Sequence, residues 1–531
     1  MFRFKAFVPL MLAVALAACG RAPYDPNTLN RGNGLEPKSL DPHFIDGTWE
    51  ANILGDLLIG LATEDAAGKP IPGAALSWEM SPDGLTWTFH MRPHLWSDGQ
   101  PVTAADFVTA WRRLVDPKTP APYAYNMWLI KNAEAIDSGK MPVSSLGVKA
   151  VDDRTLVVQL EHPAAYLPEL LMHQTAYPIP RHLYLKIGDA WSLPQNYVDN
   201  GPYNVKEWIP GDHVTLVKNP RFYDAAHVRI NTVVYYSRTD SEAALKQFRA
   251  GELDMQNPYP AVEIDWMRKN IPNDIKSVPY LGISYLLMNF QNPIMRDRRL
   301  REALNLAFDR EAIAYKIRRI GELPAYGMLP PGVANYPGGA ALDFKSLSDA
   351  DRIKKAQSLM AQMGYGPGKH LQLDYLTSTN PDSTRSASVV QRMMTKIYVD
   401  MKLDAVEGQI LYQRLQQRDF EIGGAAWIAD FNDASNILDL LRSDSGNNYG
   451  AYSNPAYDAL LNKAQMQTDL KLRGQLMAQA EQMALNDYAW IPGYFLVTQD
   501  IVQPYVKNWI PNIRGFNRSR WLWLDGKKPP S

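Results

Sequence analysis

Gly423-Gly424-Ala425-Ala426-Trp427-Ile428-Ala429-Asp430-Phe431-Asn432-Asp433 begins as a small, apolar run and ends on a carboxylate flanked by aromatic rings. Small residues let a second backbone approach closely, as edge pairing with an extended guest requires. Asp430 then stands where a strand would end, placed to receive a positive charge at one end of that guest. The same residues also describe an ordinary buried strand entering an Asp- and Asn-rich turn. The rest of the chain has to decide between the two.

Outward from this stretch the pattern is mixed α/β. Leu300, Ala303, Leu304, Ala307 and Phe308 share one helical face, and Ser348-Asp349-Ala350-Asp351 resembles a capping box for another helix. Leu371, Leu373 and Tyr375 alternate as a strand, and a helix near 471–486 precedes strand-like 491–497. Further upstream, Leu85 to Met91 alternates apolar and polar residues, and Thr103-Ala104-Ala105-Asp106 opens a helix carrying Phe107 and Trp111. Residues 155–160, 204–208, 214–216 and 231–236 read as strands, and Thr239-Asp240-Ser241-Glu242 as a helix start. Several sheets are expected, and α/β folds place ligands in crevices between lobes.

A chain of 531 residues exceeds one ordinary core and predicts two or three domains. Its 55 basic and 56 acidic residues nearly cancel, which gives no electrostatic case for nucleic acid or for an anionic membrane surface. The 14 Trp and 27 Tyr suit water-containing binding sites, although core packing must use most of them.

At the N-terminus, Arg3 and Lys5 precede an apolar segment from Phe7 to Ala18, followed by Leu16-Ala17-Ala18-Cys19-Gly20. This is the layout of a secretory signal, too short for a membrane span of about 20 residues. Cys19 is the only cysteine, so it has no disulfide partner within the chain. Leu-Ala-Ala-Cys-Gly is similar to a bacterial lipobox, in which the cysteine is acylated and becomes the mature first residue. An unmodified cysteine in a plain signal peptide is the alternative. Residues 22–33, rich in Pro, Asn and Arg, read as a tether.

Catalytic patterns are missing from the sequence. There is no G-x-S-x-G elbow, no metal-type histidine spacing among the nine histidines, and no thiol outside the lipobox. Gly364-Tyr365-Gly366-Pro367-Gly368-Lys369 follows a helix instead of opening one, so it reads as a helix stop and not as a phosphate loop. No enzyme activity, cofactor or metal is expected.

Several motifs, in order, carry a resemblance. They include Gly34-Leu35-Glu36-Pro37-Lys38-Ser39-Leu40-Asp41-Pro42-His43, Trp96-Ser97-Asp98-Gly99, Asn200-Gly201-Pro202-Tyr203 and Lys218-Asn219-Pro220. Arg298 to Leu304, Pro324 to Pro331, Trp427 to Asn432 and Ser453-Asn454-Pro455-Ala456-Tyr457-Asp458 continue them. Together these resemble the family 5 extracellular solute-binding proteins of ABC importers, in the oligopeptide-binding branch, over essentially the whole mature chain.

The resemblance implies an α/β periplasmic-binding-protein type II clamshell, two lobes joined by a hinge plus an additional domain. The implied division is a signal peptide at 1–18, anchor and tether at 19–33, and lobe I from 34–50, 183–282 and 496–531. Domain II would span 51–182 and lobe III 283–495. An extended oligopeptide would lie between the lobes, its ammonium on Asp430 and its main chain bonded by Leu35, Glu36 and Lys38 on one side and Ala426, Trp427 and Ile428 on the other. Tyr123, Tyr285, Trp427 and Tyr494 would form pocket walls. The partners implied are the permease and ATPase subunits of an importer, with membrane contact only through lipidated Cys19 in the periplasm, and a monomeric state. The same fold also serves murein peptides, nickel chelates, haem and opines, and an enzyme or envelope structural protein is a third reading. Two departures stand out. Relatives often carry a basic residue where this chain has Gly423-Gly424-Ala425, with Arg414 and Arg418 upstream, and Pro37 removes one backbone donor.

Overall fold

The structure is a computed structural model describing residues 25–45 and 47–529. The signal segment, Cys19 and the first residues of the expected tether lie outside the described residues.

Three main sheets organise the chain. The first has seven strands in the order Ile275–Lys276, Asp500–Val502, Met255–Gln256, Thr28–Gly32, Thr232–Tyr236, His213–Lys218 and Tyr203–Ile209. Thr28–Gly32 corrects the tether reading, because it pairs in parallel with Thr232–Tyr236 and Met255–Gln256 in the middle of this sheet. Its Asn- and Arg-containing sequence looked solvated, but Leu29 is fully buried and Arg31 donates to the Asn517 carbonyl at 2.9 Å. The tertiary context supplies what local composition does not.

The second sheet has four antiparallel strands, Ala75–Met80, Thr86–Met91, Thr155–Gln159 and Val148–Asp152. Trp87, Phe89 and Met91 alternate inward as the period-two pattern requires. Helix Ala104–Leu114 starts at the expected capping box, Thr103 with Asp106, and buries Phe107 and Trp111. The core beneath this sheet is continuous with the core of the seven-stranded one.

The third sheet, of six strands, runs Leu323–Pro324, Trp490–Val497, Pro279–Met288, Ile422–Ile428, Leu371–Ser378 and Val399–Val406. It has its own core, with helices Arg298–Ala307, Asp349–Gln362, Pro381–Thr395 and Leu470–Asn486 packed around it. Ser348 caps the helix Asp349–Gln362 as expected, and Gly364 stops it at φ +83. At Ser241–Arg249 the cap is Asp240 instead of Thr239, its carboxylate accepting from the N–H groups of Glu242 and Ala243.

The chain passes from Ile275–Lys276 in one sheet to Pro279–Met288 in the other across two residues. It returns from Trp490–Val497 to Asp500–Val502 equally abruptly, with Pro279 opposite Val497. Two adjacent, short crossings between independent cores form the hinge of a clamshell.

Candidate functional site

The opening stretch forms strand Ile422–Ile428, antiparallel to Pro279–Met288 from Gly282↔Ile428 to Met288↔Ile422. Beyond it, Ala429 donates its N–H to the Leu281 carbonyl at 2.8 Å. Antiparallel bonding alternates, so Trp427 and Ala425 bond towards the same neighbour while Ala426 and Ile428 turn their N–H and C=O groups the other way. On that other side the parallel strand Leu371–Ser378 pairs only at Tyr375↔Ile422 and Leu376↔Gly423. The edge from Ala426 to Ile428 therefore has no ladder partner among the described residues. One of its carbonyls, that of Ala426, accepts a bond from the Tyr412 hydroxyl at 3.3 Å. Gly423 serves packing instead of a guest, since a Cβ there would meet Leu415 at 2.5 Å.

Asp430 ends this edge. Its side chain is 11% exposed, and one carboxylate oxygen accepts from the Tyr125 hydroxyl at 3.2 Å. Nε2 of His173 lies 4.0 Å from the other oxygen. That contact is not an ion pair, because burial and the nearby Arg514 and Arg518 hold the imidazole neutral, its pKa lowered to about 3. Burial raises the Asp430 pKa to about 6, and the neighbouring Asn436 amide, the Tyr125 hydroxyl and the Asn126 amide, then the charge of Arg514, pull the other way. Among the described residues the groups that touch this carboxylate are thus neutral: a phenol, amides and an imidazole. No cation touches this buried carboxylate directly; Arg514, whose charge reaches it across the cavity, is ion-paired with Glu64 at 3.4 Å.

Asp430 lines a cavity of about 290 Å³ together with Tyr123, Trp49, His173, Tyr280, Phe516 and the cationic Arg514. Tyr123 stands against both Tyr125 and His173, with ring centroids 5.7 and 5.5 Å away. This cavity adjoins a larger one of about 520 Å³ and shares Thr48, Trp49, Tyr280, Ile428 and Phe516 with it. The larger one lies between lobes, with Gly32 to Leu35 from the seven-stranded side and Ile428 and Arg318 from the six-stranded side. Leu35 and Ile428 are 47% and 43% exposed, large apolar side chains left open to this cleft. Its arginines have acidic or carbonyl partners: Arg238 pairs with Asp212 at 3.2 Å, and Arg318 with Glu322 at 2.9 Å and Asp382 at 3.3 Å.

A third cavity, about 230 Å³, lies on the six-stranded side and is lined by Tyr285, Tyr494 and Ala426 among others. Tyr285 is buried and stacks on Trp490 at 3.9 Å. Three expected residues stand apart from these cavities. Trp427 donates its indole N–H to Asn436 at 2.8 Å, Glu36 accepts from the Trp208 indole at 2.7 Å, and Lys38 is exposed with its backbone N–H on Glu50 at 3.1 Å. Arg414, upstream of the strand, is taken by Asp404 at 2.6 Å and Asp419 at 2.8 Å.

Tyr125, His173, Trp49, Tyr280 and Arg514 escaped the sequence reading. They come from separate segments, and the only hint available was the density of aromatic residues. Among the described residues no three His, Cys, Asp or Glu side chains are grouped to hold a metal, and no helix is long and apolar enough to cross a membrane.

The family model "Bacterial extracellular solute-binding proteins, family 5 Middle" matches residues 69–449. The chain belongs to this family. It is 38% identical over 490 residues to the periplasmic oligopeptide-binding protein OppA of Salmonella typhimurium, covering 91% of this chain and 89% of that protein. To the periplasmic murein peptide-binding protein MppA of Escherichia coli it is 33% identical over 494 residues, covering 92% of this chain and 91% of that protein. Among solved structures, Haemophilus influenzae OppA in complex with the peptide RPPGFSPFR superposes with a TM-score of 0.81 at 33% identity, covering 94% of this chain and 99% of that one. The type II clamshell expected of a family 5 member is the architecture observed.

Proposed function

We propose that this chain is the solute-binding component of an ABC importer, capturing oligopeptides in extended form between its lobes. The observation that carries the reading is Asp430, a buried carboxylate touched by neutral groups at the end of an unpaired strand edge. An edge reads main chain without regard to side chains, and a terminal ammonium supplies the cation that the buried carboxylate lacks. Ile428 and Ala426 would bond the guest from one side and the 35–38 segment from the other, with Tyr123, Tyr285, Trp427 and Tyr494 as pocket walls. In this reading the 35–38 segment acts through its main chain, the Glu36 carboxylate being taken by Trp208, and Lys38 contributes its carbonyl, because Glu50 holds its N–H.

The division into lobe I (34–50, 183–282 and 496–531), domain II (51–182) and lobe III (283–495) belongs to the same proposal, with Thr28–Gly32 joined to lobe I. So does a periplasmic location, with acylation of Cys19 as the membrane anchor and a monomer as the form that meets the permease.

A thermal-shift series of tri- to hexapeptides, free and N-acetylated, tests the anchor. Free peptides are expected to raise the melting temperature with concentration by mass action, and acetylated ones to leave it unchanged. Equal stabilisation by both would remove Asp430 from the mechanism. A murein peptide is the second reading, favoured by the similarity to MppA. Identifying the peptides that co-purify separates it from the first.

A further inference from the structure

A tight turn at residues 512–515 sets a cation beside Asp430. Gly515 takes φ +69 and donates its N–H to the Asn512 carbonyl at 3.1 Å. The Ile513 carbonyl accepts from the Leu281 N–H at 2.8 Å, which fastens the turn to the strand Pro279–Met288. Arg514, held in this turn, is buried, and its guanidinium packs over the Phe516 ring at 5.6 Å. Asp430 and Arg514 are the two charged side chains in the described lining of the cavity of about 290 Å³, His173 being neutral. Arg514 has only a share of one carboxylate. Its Nη1 pairs with Glu64 at 3.4 Å, and the other Glu64 oxygen is taken by Arg518. Its Nη2 has no hydrogen-bond partner, and Glu169, whose pKa burial lifts to about 7, lies near without pairing with it. A guanidinium carries five N–H donors, so this one retains donor capacity.

From the reading of Asp430 as the ammonium anchor, on which this rests, we infer that Arg514 determines specificity for the guest's first side chain, favouring an acidic one and disfavouring a basic one. An ammonium seated on Asp430 brings its own α-carbon into the same cavity, so the first side chain is the one that meets Arg514. Asp or Glu there presents a carboxylate a few bonds from the ammonium, and the guest then offers one opposite charge to each charged side chain of the lining. A carboxylate enclosed without a cation is costly, and one that reaches a guanidinium gains a charge-assisted hydrogen bond. Lys or Arg at that position sets a second cation against Arg514 when Asp430 is already taken by the ammonium. Uncharged first residues bind through the anchor alone and rank between the two.

The test is calorimetry at pH 7.5 with the tripeptides Glu-Ala-Ala, Gln-Ala-Ala and Lys-Ala-Ala. Wild type is expected to bind Glu-Ala-Ala about tenfold more tightly than Gln-Ala-Ala, the worth of one hydrogen bond to a charged group, and Lys-Ala-Ala more weakly than both. Arg514→Gln is expected to abolish the preference for Glu while holding Gln-Ala-Ala within about threefold of its wild-type affinity. Glu64 keeps Arg518 as its partner in that variant, and a retained melting temperature verifies the fold. Should Arg514→Gln not fold, Arg514→Leu fills the same buried space without a polar group and carries the same expectation. Wild-type affinities for Glu-Ala-Ala and Gln-Ala-Ala within about threefold of each other overturn the inference and leave the ammonium anchor intact. A preference for Glu that persists in the folded variant overturns it as well, because the selecting cation is then elsewhere. Failure of all three peptides to bind wild type removes this inference and the functional reading together.

Discussion

Two aspartates three positions apart, Asp430 and Asp433, are both taken out of water and are treated in opposite ways. Asp433 is 2% exposed, ion-paired with the buried Arg473, and accepts from the Ser435 N–H at 3.0 Å and hydroxyl at 2.7 Å. Asp430 meets a phenol, amides and a neutral imidazole, and its pKa is pushed up to about 6. Between them Phe431 stacks on Tyr166 at 5.3 Å, fixing the turn against the neighbouring domain. The protein completes the charge balance of one carboxylate itself and leaves the other to be balanced by something that binds. A single Asp/Asn-rich turn thus contains a fastening and a receptor, and substitution separates them.

The largest effect is expected from Asp430→Ala, which should weaken binding of an unmodified tripeptide by about 3–5 kcal/mol, some two to four decades. Calorimetry at neutral pH measures it, and unchanged affinity would erase the contrast between the two aspartates. Asp433→Ala acts on folding instead. It leaves Arg473 buried without its partner and should lower the unfolding free energy by about 3 kcal/mol in a denaturant titration. In the same titration at pH 7.5, Asp430→Asn should be neutral or stabilising, because it removes a buried charge that has no internal cation.

The smallest effect is that of pH. The raised Asp430 pKa means that the folded protein holds a proton on this group between about pH 4 and pH 6, where the unfolded chain has already lost it. Ionisation of Asp430 therefore reduces the stability of the ligand-free protein as pH rises through this window, and the benefit of Asp430→Asn should disappear at or below about pH 4. Binding runs the other way. Affinity for a free-amine peptide should fall by up to about tenfold per unit as pH drops below about 6, since a protonated carboxyl does not pair with an ammonium. Asp430→Asn should show a flat profile over the same range, and His173, already neutral, contributes no second step.

Much of the architecture was legible locally. Alternation announced Thr86–Met91 and Leu371–Ser378, and capping residues announced Ala104–Leu114 and Asp349–Gln362, because these elements follow rules that act within a few residues. Thr28–Gly32 was misread as a tether for the complementary reason. Its place in the sheet depends on parallel partners about two hundred residues away, which no local pattern encodes. Glu36 and Lys38 show the same limit at the scale of side chains. Their segment is near the cleft, but the Trp208 indole takes the Glu36 carboxylate and the Glu50 carboxylate takes the Lys38 backbone N–H.

The sequence by itself determined that residues 423–433 would be a strand of small residues closing on a carboxylate, and that the chain belonged to an α/β clamshell family. Periodicity, turn chemistry and ordered motifs are properties of adjacent residues and survive without a fold. Only the tertiary structure decided that Asp430, and not Asp433, is the carboxylate with no cation in contact. Desolvation and pairing depend on Arg473, Tyr125 and His173, and these are brought together by folding from segments that the chain keeps far apart.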